Sequence, residues 1–247
     1  MNELCYILLL SAFFSFSFTE RNKVPVTKSE PTVPQINKSL ALKPPMGWNS
    51  WDCFGFDANC PVKGTSLHAQ SIIHSEKGGN WPDMDMLPVG RLNIKSPRSG
   101  AKPHMSNLTT DEIYSLFSLW YIARMPLFIG GYLPEMDPFT LGLISNEEAL
   151  EVNRNSCNNR QIYQFETDFI VWTADIPGSK DKYVALFNIS DKKNPLEIGV
   201  SWEQLGLTEP SYNVRDIWER KYMGESKDGI KYTVNSHGAR LLKINEI

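Results

Sequence analysis

The stretch LTTDEIYSLFSLWYIARMPLFIGG, residues 108–131, decides the fold class because it contains one clear helix and one clear strand. Thr109 and Glu112 have the spacing of a capping box, which predicts that a helix begins there. The apolar side chains that follow recur at the period of a single helix face, and they are Ile113, Leu116, Phe117 and Trp120. Pro126 ends the helix, and Pro126–Gly131 then predicts a short buried strand closed by a glycine pair.

The flanking segments continue the alternation of strand and helix. WPDMDML (Trp81–Leu87) predicts a strand, and Ser145 with Glu148 predicts a second capped helix downstream. Strand, helix, strand, helix is the order of a parallel α/β unit. On the predicted strand Asp83 and Asp85 would point to one face, roughly 7 Å apart at a rise of ~3.4 Å per residue.

The pattern changes near Phe165. From there to the end, short apolar segments alternate with Gly, Pro, Asp and Asn turns, which predicts an antiparallel β-sandwich. The segments are DFIVWTA, YVALFNIS, LEIGV, NVRDIW, YTV and ARLLKI. The prediction is therefore an α/β domain at 44–164 and a β-sandwich domain at 165–247.

The N-terminal residues predict export. Leu4–Phe14 is an apolar stretch that is shorter than the ~20 residues of a spanning helix, so residues 1–20 are predicted to be a signal peptide. A membrane anchor is the alternative, because Glu3 stands where a signal usually carries a basic residue. Residues 21–43 are polar, contain prolines and lack a period, which predicts a linker. We expect a secreted or extracellular protein, for example in a cell wall, or a vacuolar or lysosomal one, with no membrane contact after the signal is removed.

An oxidising compartment would also decide the state of the cysteines. Removing the signal removes Cys5, after which Cys53 could pair with Cys60 across a short loop and Cys157 would be left unpaired. That cysteine spacing is not a zinc signature, so no metal site is predicted. Three sequons are candidates for N-glycosylation in the same route, at Asn37, Asn107 and Asn188.

Composition excludes some function classes. The formal net charge is -3 and the basic residues are scattered, which gives no reason to expect a nucleic-acid partner. The chain contains 7 tryptophans, with Trp48 close to Trp51. Such side chains form platforms for sugar rings, and they also fill apolar cores.

Five segments, taken in order, resemble the melibiase-type glycoside hydrolases, the α-galactosidase family. They are PPMGWNSWDCFG, NWPDMDMLPVG, SLWYIARMPLFIGG, SNEEALEVN and HGARLLKI. The resemblance implies a (β/α)8 barrel of the TIM type followed by an antiparallel β-sandwich. It places PPMGWNSWD at the first barrel strand, WPDMDML at the seventh and PLFIGG at the eighth.

The resemblance also implies a substrate and the residues that bind it. Trp51, Asp85 and Met86 match positions that face a galactose, at the C-terminal strand ends where such barrels have their active sites. The implied partner is a galactose-containing carbohydrate. No cofactor is implied, because the family's chemistry uses carboxylates alone. For Asp83 and Asp85 the alternative is a carboxylate that only binds nearby backbone amides.

The middle of the barrel is missing. Between Trp51 and Trp81 there are 29 residues, whereas each βα unit takes about 30 residues, since ~250 residues form eight units. Strands two to six are therefore absent, and the family's catalytic pair comes from the fourth and sixth. We predict no catalytic residue in this chain. Asp52 is close to Trp51, but there we favour a loop carboxylate that binds backbone amides.

Three hypotheses follow. The first is a retaining hydrolase of terminal α-galactosides or of the related β-L-arabinopyranosides. The second is an inactive secreted remnant with weak galactose affinity, arising as a truncated paralogue, a splice product or an incorrect gene model. The third is a free-standing β-sandwich carried by a damaged barrel. We favour inactivity, and we expect a partial barrel that is marginal in stability or forms a homodimer, because its open edges expose backbone groups.

Overall fold

The computed structural model describes residues 43–44, 46–48, 81–94, 102–165, 168–192 and 194–247. All of these belong to one compact unit, residues 37–247. The predicted signal peptide and almost all of the predicted linker lie outside the described residues. So do Trp51, the cysteines Cys53 and Cys60, and the sequon at Asn37.

The α/β part contains four strands and three α-helices among the described residues. The strands are β1 (Met46–Trp48), β2 (Arg91–Leu92), β3 (His104–Met105) and β4 (Leu127–Ile129). The helices are α1 (Thr110–Ile122), α2 (Pro138–Ile144) and α3 (Glu147–Asn155), with a 3-10 turn at Leu133–Glu135.

The eighth strand of the predicted barrel, β4, has a parallel neighbour on each side. On one side it pairs with β1 in the register Met46 to Leu127. On the other side Leu87 forms a parallel bridge with Ile129. The amide of Leu87 donates to the carbonyl of Phe128 at 2.7 Å, and the amide of Gly130 donates to the carbonyl of Leu87 at 3.0 Å. This is the first, eighth and seventh strand order of a closed barrel, so the predicted partial barrel is confirmed.

The predicted strand at Trp81–Leu87 is wrong except at its last residue. Residues 81–86 have no regular secondary structure, and Asp85 has a φ of 75°. A positive φ breaks the alternation of a strand, so Asp83 and Asp85 do not share a strand face. Among the described residues only Leu87 of this segment bridges to a strand, so the backbone groups of residues 81–86 have no ladder partner there.

The helix predictions succeed at α1 and need correction at α3. Thr109 caps α1, and its side chain and that of Glu112 form the predicted capping box. The cap of α3 is Asn146 rather than Ser145, because the Asn146 side chain accepts from the amides of Glu148 and Ala149. Ser145 instead ends the unpredicted helix α2, where its hydroxyl donates to the carbonyl of Leu141.

The C-terminal part is built on a six-stranded antiparallel sheet in the order β10-β9-β12-β7-β6-β5, with a second two-stranded sheet, β11-β8. The strands are β5 (Cys157–Phe165), β6 (Phe169–Asp175), β7 (Lys182–Asn188), β8 (Leu196–Ser201), β9 (Ser211–Asp216), β10 (Lys221–Lys227), β11 (Gly229–Val234) and β12 (Ala239–Asn245). The predicted antiparallel β-sandwich is confirmed.

Two of these strands were not predicted. β5 belongs to the sheet although it begins at Cys157, before the predicted boundary at 164/165. Its register shifts twice against β6, and such bulges interrupt the two-residue period that marks a strand in sequence. β10 is an edge strand whose residues are almost all exposed, so it carries no apolar alternation.

The six-stranded sheet is covered on both faces. One face, which includes Trp172 and Phe187, shares an apolar cluster with α1 and α3. The other face, which includes Val184 and Leu186, packs against the small sheet β11-β8. The sandwich thus covers the apolar side of the helices, and this burial stabilises the partial barrel. In the part of the chain described here, no helix has the length and apolar character to cross a membrane.

Candidate functional site

The predicted sugar ligand Asp85 lies in a tight turn immediately before the bridge at Leu87. The amide of Asp85 donates to Oδ1 of Asp83 at 2.9 Å, and the amide of Met86 donates to Oδ1 of Asp85 at 2.8 Å. Each carboxylate therefore satisfies a backbone amide of the turn, which is the usual local role of aspartate. Both carboxylates therefore bind backbone amides, as the alternative expected, and a sugar-binding role of Asp85 stays a prediction.

That local role does not use all of Asp85. Its side chain is exposed, and Oδ2 has no hydrogen-bond partner among the described residues. A carboxylate oxygen held in a turn can accept hydrogen bonds from sugar hydroxyls. Met86, the other described residue of the predicted site, is buried with 8% of its surface exposed. Trp51, which would complete the predicted set, lies outside the described residues.

Close packing fixes the end of the Asp85 turn against β4. The chain after Leu87 lies so close to the Gly130–Gly131 pair that a Cβ on Gly131 would lie 1.9 Å from the carbonyl oxygen of Val89. The amide of Tyr132 also donates to the carbonyl of Arg91 at 2.8 Å. Only glycine permits this approach, so the glycine pair that the sequence marked as a strand end also holds the two strand ends together.

An arginine that sequence reasoning missed anchors the start of the same segment. The guanidinium of Arg124 lies 4.3 Å from the ring centroid of Trp81, within the range of a cation–π contact. It also donates to the carbonyls of Asn153 and Arg154 at 3.0 Å each, at the C-terminal end of α3. These partners are distant in sequence, so no local pattern could have shown the contact.

The other carboxylates near the strand ends are already engaged. Glu135 forms an ion pair with Arg91, and Asp137 caps α2 by accepting from the amide of Thr140 at 2.9 Å. Across the described ranges no group of three or more His, Cys, Asp and Glu side chains could hold a metal ion. The arrangement can bind hydroxyl groups, and the described residues provide no acid/base pair.

The two described sequons differ in accessibility. Asn107 is exposed in the loop before α1. Asn188 is 1% exposed, its Nδ2 donates to the carbonyl of Val234 at 3.0 Å, and its Oδ1 accepts from the amide of Ser190. A glycan on Asn188 would have to leave a position that is almost fully buried, so the fold disfavours a glycan there and accommodates one at Asn107. Cys157 is a free cysteine.

Comparison with known proteins points in one direction. Residues 166–244 match the alpha galactosidase C-terminal beta sandwich domain. The chain is 31% identical over 165 residues to alpha-galactosidase 2 of Arabidopsis thaliana and 29% identical over 165 residues to an alpha-galactosidase of Cyamopsis tetragonoloba. Each alignment covers 66% of this chain and 37% or 36% of the relative, so the chain spans little more than a third of their length.

A solved structure extends the similarity to the whole described fold. The crystal structure of a GH27 β-L-arabinopyranosidase from Geobacillus stearothermophilus superposes with a TM-score of 0.71 at 33% sequence identity. The match covers 78% of this chain and 43% of that one. The matched share of this chain is too large to be the sandwich alone, so it includes the partial barrel.

Proposed function

The chain belongs to the melibiase-type α-galactosidase family, as a member that spans only part of its relatives, and from this premise we propose that it is a non-catalytic member that binds galactose-like sugars weakly. The names of the relatives refer to α-galactosidase and β-L-arabinopyranosidase activity. We propose that this chain has lost the hydrolysis of both kinds of glycoside.

One observation supports the loss of catalysis more than any other. β1 and Leu87 both pair with β4, so the first, eighth and seventh barrel strands are adjacent, and only residues 49–80 connect the first to the seventh. At about 30 residues for each βα unit, that connection cannot contain five units. The family resemblance assigns the nucleophile to the fourth strand and the acid/base residue to the sixth.

The carboxylates that are present make poor substitutes. A retaining glycosidase needs two carboxyl groups about 5 to 5.5 Å apart on opposite sides of the scissile bond. Asp83 and Asp85 lie in one turn, where each carboxylate accepts a hydrogen bond from a backbone amide, so neither is placed across a scissile bond from the other. Loss of proton transfer alone typically costs ~10²- to 10⁴-fold in rate, and loss of the nucleophile adds to that cost.

Weak sugar binding is supported by what remains of the pocket. Asp85 has an accepting oxygen that its turn does not use, and the packing of Gly131 against Val89 fixes the turn in place. Most of the pocket wall would have come from the absent strands. We therefore expect a dissociation constant for galactose in the millimolar range, about -4 kcal/mol of binding free energy.

Hydrolysis is the direct test. Purified full-length chain is incubated with an aryl α-galactoside and an aryl β-L-arabinopyranoside, beside the Cyamopsis tetragonoloba relative as a positive control. We expect no release of the aryl alcohol above a buffer control. Turnover with retained anomeric configuration would show that the proposal of inactivity is wrong and would favour the first hypothesis, an active hydrolase.

Galactose binding at the Asp85 turn is tested separately through the backbone amide signals of that turn in ¹⁵N-labelled protein. The variant Asp85→Ala should abolish the galactose-dependent shift of those signals. The matched control is Asp191→Ala, because the Asp191 carboxylate is 93% exposed on the sandwich and lies outside the Asp85 turn. If both variants bind galactose with equal affinity, Asp85 is not part of the binding site.

Export is a further part of the proposal, supported by the apolar run Leu4–Phe14. Expressed in a eukaryotic cell, the chain should enter the secretory route and lose its first ~17 to 20 residues. An N-terminal sequence that still begins at Met1 on cytosolic protein would contradict this.

A further inference from the structure

A polar cleft lies where the helix layer meets the sandwich, away from the Asp85 turn. It has a volume of about 230 Å³. Its walls come from the first turns of α1, the turn after β9, and the connection from β11 into β12. The lining residues that carry the argument are Asp111, Tyr114, Trp218, Glu219, Asn235 and Arg240.

Two aromatic rings form the apolar part of this cleft. The rings of Tyr114 and Trp218 are 5.6 Å apart and inclined at 56°. Phe139 packs edge-on against Tyr114 at 5.3 Å, which holds that ring from one side. The indole Nε1 of Trp218 donates to the hydroxyl of Ser118 at 2.9 Å, so the Trp218 ring is fixed as well. Rigid aromatic surfaces bind ligands with little loss of side-chain entropy.

The polar part of the cleft is also held in place. Arg240 donates to the buried carboxylate of Asp216 at 3.0 Å and to Glu219 at 2.5 Å. Asn235 donates to Oδ1 of Asp111 at 3.2 Å. These contacts leave further lone pairs on the carboxylates and the Asn235 carbonyl oxygen, so the cleft offers mainly hydrogen-bond acceptors.

Tyr114 has an unused polar atom at this place. Within the described parts of the chain, the Tyr114 hydroxyl makes no hydrogen bond, although the ring is packed between Phe139 and Trp218. Burial raises the pKa of Tyr114 above its usual value, and the nearby carboxylates of Asp216 and Glu219 add to this shift. The hydroxyl therefore stays protonated at neutral pH and can both donate and accept.

We propose that this cleft, called here the Tyr114 cleft, is a second binding site that takes one pyranose ring or a polyol of similar size. At ~30 Å³ for each water, its volume equals seven or eight waters, which suits a single sugar ring and not an oligosaccharide. Several hydroxyl donors on the ligand would meet the carboxylate and amide acceptors, while its C–H face packs on the aromatic rings. An organic cation is the other ligand that aromatic rings and carboxylates attract, and the test below distinguishes it from a sugar.

The test follows the indole N–H signal of Trp218 in ¹⁵N-labelled full-length protein during titration with D-galactose, D-glucose and, separately, choline. The signal is assigned with Trp218→Phe. We expect a saturable shift with a sugar, at a dissociation constant on the order of 1 to 10 mM, and no shift with choline. No saturable shift with either sugar, or an equal response to choline, would overturn the proposal.

Variants separate this cleft from the barrel pocket. Tyr114→Phe removes only the hydroxyl and should weaken sugar binding at Trp218 by about threefold to tenfold, the value of one lost hydrogen bond. Tyr163→Phe is the matched control, because Tyr163 stacks on Phe169 and does not line the cleft. Asp85→Ala should leave the Trp218 shift unchanged. Unchanged affinity in Tyr114→Phe, or loss of the shift in Asp85→Ala, would contradict a separate cleft site without bearing on the inactivity proposed above.

Discussion

Glu148 and Arg215 form a two-pronged ion pair that joins α3 to β9. Nε of Arg215 donates to Oε2 of Glu148 at 2.5 Å, and Nη2 donates to Oε1 at 2.7 Å. Arg215 also lies 4.8 Å from the ring centroid of Tyr222. The pair couples the partial barrel to the sandwich, and its geometry is the strong form of a carboxylate–arginine contact.

This pair predicts a pH dependence of stability. The hydrogen bonds from Arg215 lower the pKa of Glu148 below its usual value of 4.5. Because the folded-state pKa is the lower one, the stabilisation is complete above the unfolded-state pKa and is lost as the pH falls through the folded-state pKa. We expect the free energy of unfolding, measured by urea denaturation, to decrease as the pH is lowered below about 4.5. In Glu148→Gln the decrease should be less steep.

The neighbouring glutamate provides the control. Glu147 is 84% exposed and its closest contact with Arg154 is 4.0 Å. Glu147→Gln should leave the free energy of unfolding at neutral pH nearly unchanged, whereas Glu148→Gln should lower it by about 1 kcal/mol. Equal effects in the two variants would show that the ion pair does not couple the layers.

A second prediction concerns the cap of α1. Thr109→Ala removes the acceptor for the Glu112 amide and the bond from the Thr109 hydroxyl to Oε2 of Glu112. We expect a loss of about 1 kcal/mol in the free energy of unfolding. Thr110→Ala, one residue later and exposed, should have little effect. The protein should be produced in bacteria, because Thr109→Ala also removes the Asn107 sequon. A larger loss in Thr110→Ala would contradict the assignment of the cap.

A third prediction uses the contrast between two glycines. Gly131→Ala places a Cβ 1.9 Å from the carbonyl oxygen of Val89, and that oxygen belongs to backbone that cannot move aside easily. We expect a loss of several kcal/mol, about 3 or more, or failure to accumulate soluble protein. Gly142→Ala, in helix α2 with nothing within 4 Å of the new Cβ, should instead stabilise by about 0.5 to 1 kcal/mol. Thermal unfolding of both variants tests this contrast. An unchanged stability of Gly131→Ala would refute the close packing of the strand ends.

A fourth prediction concerns glycosylation in a eukaryotic secretory host. Asn107 should carry a glycan and Asn188 should not, since the Asn188 amide is buried and bound to Val234. Glycosidase treatment should lower the intact mass of the wild-type chain. The size of this decrease should be the same in Asn188→Gln. Asn107→Gln should abolish the contribution of its site. A glycopeptide that contains Asn188 would count against the buried position of that strand end.

Local patterns in the sequence predicted the elements whose partners lie nearby. Three such features depend only on residues close together in the chain. They are the capping box of Thr109 and Glu112, the helix face that ends before Pro126, and the short strand after it. Short apolar segments bounded by turn residues, such as YVALFNIS, predicted β7 and its neighbours for the same reason. The short connection between the segments that match the first and seventh barrel strands was also visible in the sequence, because it depends only on the number of residues.

Elements with distant partners could not be read in this way. The segment 81–86 has the composition of a strand but pairs with no strand in the described part of the chain, and Asp85 lies in a turn. Bulges in β5 and exposure of β10 removed the period that sequence reasoning depends on. Asn146, the cap of α3, also donates from Nδ2 to the carbonyl of Ile217 at 2.9 Å, a distant partner on the sandwich.

The sequence by itself determined the fold class and the family resemblance, because both follow from local period and motif order. Only the tertiary structure decided that the six-stranded sheet covers the apolar side of α1 and α3, that Asn188 is buried, and that Tyr114 and Trp218 meet in one cleft. Those outcomes depend on contacts between residues far apart in the chain. Such contacts are selected by the burial of apolar surface over the whole molecule, which no short stretch of sequence encodes.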